Sequence, residues 1–169
     1  LILILTVVAG QPRAASAQPL SFIRDTELEN TIRGYATPIF IAAGLDPTAV
    51  RIYLVNDKQI NAFVAGGQNL FINTGLLMQS EDAGQVVGVI AHEVGHIAGG
   101  HLVRVHDALA RGTAESILAM VLGAAAMVAG APEVGAAVMS GGQNVAMRNF
   151  LQYSRTQEAS ADAAATRFL

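Results

Sequence analysis

The chain has 169 residues and a formal net charge of −3; 52% of its residues are hydrophobic and only 14% are charged. This length suits one domain with a substantial core, and the slight negative charge argues against a nucleic-acid partner. Because the chain has no cysteine, a disulfide scaffold, a thiol nucleophile and a zinc–thiolate site are excluded.

The first residues have the features of a secretory signal peptide. A short apolar run at residues 1–9 precedes a small-x-small cleavage site at residues 15–17. The run is too short to cross a bilayer, and an ordinary first strand is the alternative. We therefore predict that residues 1–17 are part of a signal peptide and that residues 18–169 form the mature catalytic domain.

A helix is predicted to begin at residue 26, where Thr26 and Glu29 match a capping-box pattern. Apolar residues follow at helical spacing as far as residue 43, with a kink expected at Pro38 and an end at Gly44. This helix is expected to cover the core from outside.

Three strands are predicted next, at residues 51–55, 60–65 and 69–73, and the last two flank a glycine-containing turn. We expect a small antiparallel sheet packed on the helix that follows. The sheet is either scaffold alone, or it offers an exposed edge strand that pairs with an extended peptide.

The most informative pattern is H-E-x-x-H, formed by His92, Glu93 and His96. Residues four apart on a helix share a face, so the two imidazoles can hold one zinc ion. Glu93 is rotated by about 100° from His92, which suits action on a water molecule better than ligation.

The surrounding sequence favours a buried helix for this motif. Ser80 is expected to cap its start, and apolar residues recur at three- and four-residue spacings from Val86 to Ala98. Gly95 and Gly99 each weaken the helix, so another backbone is expected to approach closely there.

Two further histidines, His101 and His106, are interpreted as solvated or hydrogen-bonded rather than as ligands, because a spacing of five points His101 to a different face. Residues 116–147 carry one charge, Glu133, and the break at residues 130–132 predicts a helical hairpin. Residues 114–147 are then a lid over the active cleft, a pair of core helices, or a membrane-inserted hairpin, and residues 116–147 are a candidate for association with a membrane surface.

An alanine-rich helix is predicted at residues 154–167, with Glu158 and Asp162 on one face. Either it is a solvated helix carrying two acids, or Glu158 is a third zinc ligand. In the second case Asp162 can accept the free N–H of a ligating histidine and orient its ring.

Together, these two motifs resemble the HtpX/CAAX-protease family of zinc peptidases, which are gluzincins, in its BepA-like periplasmic branch. Residues 61–63 and 73–77, His101-Leu102 and the apolar insertion also match that branch. The resemblance implies a mainly helical α+β fold of the zincin type. It also implies one Zn²⁺ held by His92, His96 and Glu158, Glu93 as general base, and Asp162 and Arg155 as residues that support the ligands. Asn61, Ala62 and Phe63 would bind substrate.

The resemblance further implies polypeptide substrates, including misassembled outer-membrane proteins, a periplasmic location and a C-terminal region beyond residue 169. A zinc-stabilised, chaperone-like binding module without turnover is the alternative. Glu93 argues against it, since a purely structural zinc site needs four protein ligands and no base.

Overall fold

The computed structural model describes residues 20–169, so the predicted signal peptide at residues 1–17 lies outside the described residues. Five helices and one four-stranded sheet are present in the described part. In chain order they are β1 (Phe22–Ile23), α1 (Thr26–Ala42), β2 (Arg51–Val55), β3 (Ala62–Ala65), β4 (Asn69–Asn73), α2 (Thr74–Gln79), α3 (Ala83–Ala98), α4 (His101–Val128) and α5 (Pro132–Phe168). The predicted mainly helical α+β class is confirmed.

Aspartates cap the two helices that frame the core, which corrects both predicted caps. The Asp25 carboxylate accepts the Leu28 N–H at 3.0 Å at the start of α1, in place of Thr26. At α3 the Asp82 carboxylate accepts the Gln85 N–H at 3.0 Å. Ser80 instead ends α2, since its hydroxyl donates to the Leu76 carbonyl.

The sheet has the strand order β1-β2-β4-β3, and it is mixed rather than wholly antiparallel. β3 and β4 form the predicted antiparallel hairpin, but β2 and β4 are parallel. The reason is burial: Leu70 and Ile72 of β4 are fully buried and need a central position. β3, which is more exposed, is left at the edge.

The core lies between one face of the sheet and helices α1 and α3. Its largest fully buried side chains come from all three layers: Phe40, Val50, Leu54, Leu70, Ile72, Ile90 and Val94. Full burial of such side chains stabilises the fold by about 1.5–3 kcal/mol each, so the position of α3 against the sheet is strongly determined.

Helices α4 and α5 form the predicted helical hairpin, and Gly130 at φ +88° makes the turn between them. Small residues pack between the helices, while many large apolar side chains of residues 116–147 are exposed. The hydrophobic core of the described residues includes none of residues 116–147, which argues against plain core helices. Within the described residues, α4 is the one helix long and apolar enough to cross a membrane, and only 11% of its most apolar window is buried.

The second half of α5 crosses α3 at Gly95, as the expected backbone approach requires. A Cβ at Gly95 would lie 2.8 Å from the Ala161 carbonyl oxygen and 3.0 Å from its Cα. At Gly99 the neighbour is the side chain of His101, not a backbone. Gly95 thus sets how closely the acids of α5 approach the histidines of α3.

Candidate metal centre

Three potential metal ligands meet where α3 and α5 cross. His92 and His96 lie one turn apart on α3, and Glu158 lies on α5, one turn before the contact with Gly95. One ligand atom from each residue lies within 4.8 Å of the others. The structure therefore brings together the three residues that the sequence singled out.

The spacing of these atoms fits a tetrahedral zinc site. At Zn–N and Zn–O bond lengths of about 2.0–2.1 Å, two tetrahedral ligand atoms lie about 3.3–3.4 Å apart. The His92 and His96 Nε2 atoms are 3.0 Å apart, and the Glu158 Oε2 atom lies 3.3 Å and 3.6 Å from them. These distances bracket the tetrahedral value, and a set of two imidazoles and one carboxylate matches a catalytic site with one open position.

Asp162 lies one turn beyond Glu158 and orients the first histidine. The His92 Nδ1–H donates to Asp162 Oδ1 at 2.8 Å. With the proton held on Nδ1, the Nε2 lone pair of His92 points to the centre of the site. This is the contact predicted for Asp162.

His101 is buried against the site, with 3% of its surface exposed. Its Nδ1 lies 3.0 Å from the Nδ1 of His96, so the hydrogen-bonded alternative for His101 holds and the solvated one does not. A spacing of five residues predicted a different helix face for His101. The ring instead lies beside His96, because Gly100, at φ +62°, breaks the helix between the two histidines. His106 is exposed.

The electrostatics of the site favour neutral histidines. Burial lowers the pKa of both His96 and His101, and the neighbouring histidines lower it further, against the opposing effect of the Glu158 carboxylate. Metal ligation requires a neutral imidazole, and the lowered pKa favours this form of the ligand His96 near neutral pH.

Glu93 lies beside the three ligand atoms and lines the same cleft. Burial raises its pKa to about 7, and the nearby Glu158 carboxylate also raises it. His92 and the Val64 N–H act in the opposite direction. A carboxyl group that titrates near neutral pH can both accept and return a proton, as a general base requires.

The cleft runs between the edge strand β3 and the start of α4. It has a volume of about 280 Å³ and is lined by Phe63, Val64, His92, Glu93, His96, His101, Leu102, Val105 and Glu158. None of these residues belongs to 114–147, so in this conformation the hairpin does not form the predicted lid.

Of the three predicted substrate-binding residues, only Phe63 lines the cleft. Ala62 turns its side chain into the core, and the Asn61 carbonyl accepts the Asn73 N–H at 3.0 Å inside the sheet. Antiparallel pairing alternates, so the N–H and C=O groups of Ala62 and Val64 point to the open edge. At its open edge β3 therefore presents main-chain hydrogen-bonding groups rather than the side chains of Asn61 and Ala62.

No observed contact of Arg155 within the described residues supports its predicted role beside the ligands. Within residues 20–169 no hydrogen bond or salt bridge joins Arg155 to the ligands, and its side chain lies with Arg148 in an exposed groove along α5. Arg155 lies one turn before Glu158, on the side away from Asp162 and about 9 Å along α5 from the crossing at Ala161, whereas Asp162 lies next to that crossing.

This combination of an H-E-x-x-H helix, a glutamate from a following helix and an exposed edge strand defines a metallopeptidase. A family model for peptidase family M48 matches residues 23–169, and the chain belongs to that family. The resemblance to the HtpX/CAAX-type zinc peptidases is thereby confirmed.

The chain is also similar to several curated proteases. It is 26% identical over 140 residues to a putative beta-barrel assembly-enhancing protease of Vibrio cholerae, covering 83% of this chain and 29% of the relative. A Yersinia pestis beta-barrel assembly-enhancing protease is 30% identical over 115 residues, 68% of this chain and 24% of its own length. The Escherichia coli K12 beta-barrel assembly-enhancing protease is 26% identical over 140 residues, which cover 83% of this chain and 28% of the relative. The chain thus spans less than a third of these relatives.

Proposed function

We propose that this chain is the catalytic domain of a zinc-dependent endopeptidase that hydrolyses polypeptides in the cell envelope. The observation that carries the proposal is the convergence of His92, His96 and Glu158, with ligand atoms within 4.8 Å of one another and Glu93 in the same cleft. Membership of peptidase family M48 supports a metal at this position.

In this proposal His92 and His96 hold the ion through Nε2 and Glu158 holds it through a carboxylate oxygen. Asp162 keeps the proton of His92 on Nδ1 through the 2.8 Å hydrogen bond. When bound, zinc supplies Lewis-acid chemistry, lowering the pKa of water and polarising a carbonyl. One ion per chain satisfies this donor set.

Glu93 is the proposed general base. It takes a proton from the attacking water as the water oxygen bonds to the scissile carbonyl carbon. Glu93 then gives this proton to the amide nitrogen as the C–N bond breaks, so a neutral amine leaves. The pKa of about 7 makes both transfers feasible near neutral pH.

The edge strand β3 is proposed to hold the substrate as an added strand. The outward N–H and C=O groups of Ala62 and the C=O group of Val64 can pair with an extended peptide, while the Val64 N–H donates to Glu93 and lowers its pKa. Phe63 and Val64 line the cleft beside Glu93. Pairing through the main chain recognises extended conformation more than sequence. Unfolded polypeptides are therefore the expected substrate class.

The names of the relatives support a narrower proposal. They are called beta-barrel assembly-enhancing proteases, so misassembled outer-membrane proteins are the proposed natural substrates. The signal-peptide pattern at residues 1–17 supports export to the periplasm, where such substrates are found.

The test combines metal analysis with a fluorogenic unfolded-polypeptide assay. Wild type is expected to bind one zinc ion per chain and to cleave, with cleavage lost in the presence of a chelator. Glu93→Gln is expected to keep the zinc and lose about 10²–10⁴-fold in rate. Glu81→Gln, an exposed glutamate before α3, is the matched control and should behave as wild type.

Undiminished cleavage by Glu93→Gln would remove Glu93 from its role. If wild type binds zinc and suppresses aggregation of unfolded protein but never cleaves it, the chaperone-like alternative replaces the protease.

A further inference from the structure

We propose that the distal hairpin, residues 112–147, inserts into a lipid bilayer. On α4 the large side chains of Ile117, Leu118, Met120, Val121 and Leu122 are all at least 47% exposed. The two buried positions in residues 117–123 are small, Ala119 and Gly123. Large apolar residues thus face outward and small ones face the partner helix.

The glycines of α5 that pack against α4 show that the interface between the two helices is formed by small residues. A Cβ at Gly142 would collide with Ala119, and a Cβ at Gly135 would collide with Met127 and the Gly123 backbone. In water, large apolar side chains normally fill a helix interface. In lipid, association instead depends on close packing of small residues, while large apolar residues face the acyl chains.

A lipid surface also fits better than a protein partner. A second copy or a further protein segment covers one face, but the exposed apolar side chains at positions 117, 118, 120, 121 and 122 are spread around every side of α4 except the one packed on α5. An occupant that surrounds the hairpin is needed, and acyl chains provide it.

Charge and length fit this placement. Arg111 and Arg148 lie at similar levels of the hairpin, since Gly112 and Ala146, one and two residues away from them, face each other: a Cβ at Gly112 would lie 4.0 Å from the Ala146 Cβ. Both arginines are exposed, and within residues 20–169 neither forms a salt bridge. Beyond them only Glu115 and Glu133 are charged.

The 17 residues of α4 from position 112 to 128 rise about 25 Å, against about 30 Å for the hydrocarbon layer. The arginines would therefore lie among anionic headgroups while the apolar section is immersed. Glu133, at the tip, would approach the far headgroup region.

The experiment uses the absence of tryptophan from the chain. In this 169-residue chain, Val121→Trp provides a single reporter for vesicles of phosphatidylcholine alone or with phosphatidylglycerol. We expect a blue-shifted emission and quenching by lipids brominated deep in the acyl chain. Adding Leu118→Glu should weaken partitioning at least tenfold, since a carboxylate is costly in the bilayer. Ile41→Glu, on α1 and similarly exposed at 63%, is the matched control and should change nothing.

Replacing Arg111 and Arg148 by glutamine should remove the preference for the anionic vesicles and leave binding to the neutral ones. A reporter that is neither shifted nor quenched with either vesicle overturns the proposal. So does a reporter already shielded from iodide without lipid, which would show that a second copy or another segment covers the hairpin.

An independent observation, the contact between His96 and His101, carries a second inference, and it rests on the proposed zinc site. We infer that His101 is a positioning residue for His96. With the His96 Nε2 directed to the metal, its Nδ1 carries the proton and donates to His101 Nδ1 across 3.0 Å. Asp162 holds His92 in the same way, so each histidine ligand has its own partner.

The backbone is shaped to admit this imidazole. A Cβ at Gly99 would collide with His101 Nε2, and Gly100 adopts φ +62° to begin α4 directly beside the site. His101 is also buried, so a ring held here is fixed rather than mobile.

Zinc affinity, measured by competition with a chromophoric chelator, tests the role. His101→Gln places its oxygen beyond the position of Nδ1 and is expected to weaken zinc binding about 10–100-fold. His101→Asn, whose Oδ1 can replace Nδ1, should recover most of it, and His106→Gln is the matched control on the same helix. If the Gln and Asn variants both bind zinc like wild type, His101 has no positioning role and the protease proposal stands. If wild type itself binds no zinc, both the proposed zinc site and the positioning role of His101 are refuted.

Discussion

Replacing Gly95 with alanine tests how the crossing of α3 and α5 controls the metal centre. The added Cβ would lie 2.8 Å from the Ala161 oxygen, 3.0 Å from its Cα and 3.3 Å from its carbonyl carbon. Ordinary contact starts at 3.4 Å, so α5 must move away by about 0.6 Å. Glu158 and Asp162 flank Ala161 on that helix and would move with it.

Gly95→Ala is expected to change the free energy of unfolding and the zinc affinity by different amounts. Overpacking costs about 1–3 kcal/mol, and the gain in helix propensity over glycine offsets about 1 kcal/mol. The net loss in free energy of unfolding is therefore at most about 2 kcal/mol. A shift of this size exceeds the tolerance of about 0.5 Å for a functional site, so zinc affinity should fall about 10–100-fold.

Urea unfolding of the zinc-free protein and chelator competition measure the two effects separately. The control is Gly88→Ala on the same helix, where a Cβ meets nothing within 4 Å. It should stabilise the fold by up to about 1 kcal/mol and leave zinc affinity unchanged. Wild-type zinc affinity in Gly95→Ala would refute the idea that this crossing positions the acids.

Further predictions concern individual residues of the site. Glu158→Gln should lower zinc affinity by more than Asp162→Asn, for which about 10–100-fold is expected; equal losses in the chelator titration would contradict a ligand role for Glu158. The cleavage rate should decline at acidic pH, because Glu93 becomes protonated; bound zinc lowers the Glu93 pKa below the zinc-free value of about 7, so the decline begins below that pH, and a cleavage rate that does not change from pH 8 to 4 would exclude Glu93 as the base. In the zinc-free protein the folded state holds the Glu93 proton more tightly than the unfolded state, so this group's contribution to stability is lost as pH rises from about 4.5 to 7. Glu93→Gln should therefore be more stable than wild type at pH 8 and show a smaller advantage at pH 4, measured by urea midpoints. Val64→Pro removes the N–H that lowers the pKa of Glu93 and leaves the β3–β4 ladder intact, so the decline in cleavage rate should move to higher pH while zinc affinity stays constant.

The sequence alone was sufficient where a local rule governs the structure. The four-residue spacing of His92 and His96 places both rings on one helix face whatever surrounds the helix. The hairpin turn near residue 130 followed from glycine and proline chemistry, and the strands from their apolar and β-branched residues. A pairing of Glu158 and Asp162 with the histidines was predicted from helical spacing and from resemblance to a peptidase family.

Tertiary structure decided what depends on contacts between distant segments. The parallel pairing of β2 with β4 arises because burial of Leu70 and Ile72 requires a central strand, which strand propensity does not encode. Arg155 and Asn61 matched a motif but lie outside the cleft, since Arg155 is more than one turn from the crossing of α5 with α3 and the Asn61 carbonyl pairs inside the sheet. His101 reached His96 because Gly100 at φ +62° interrupts the helical period that linear spacing assumes.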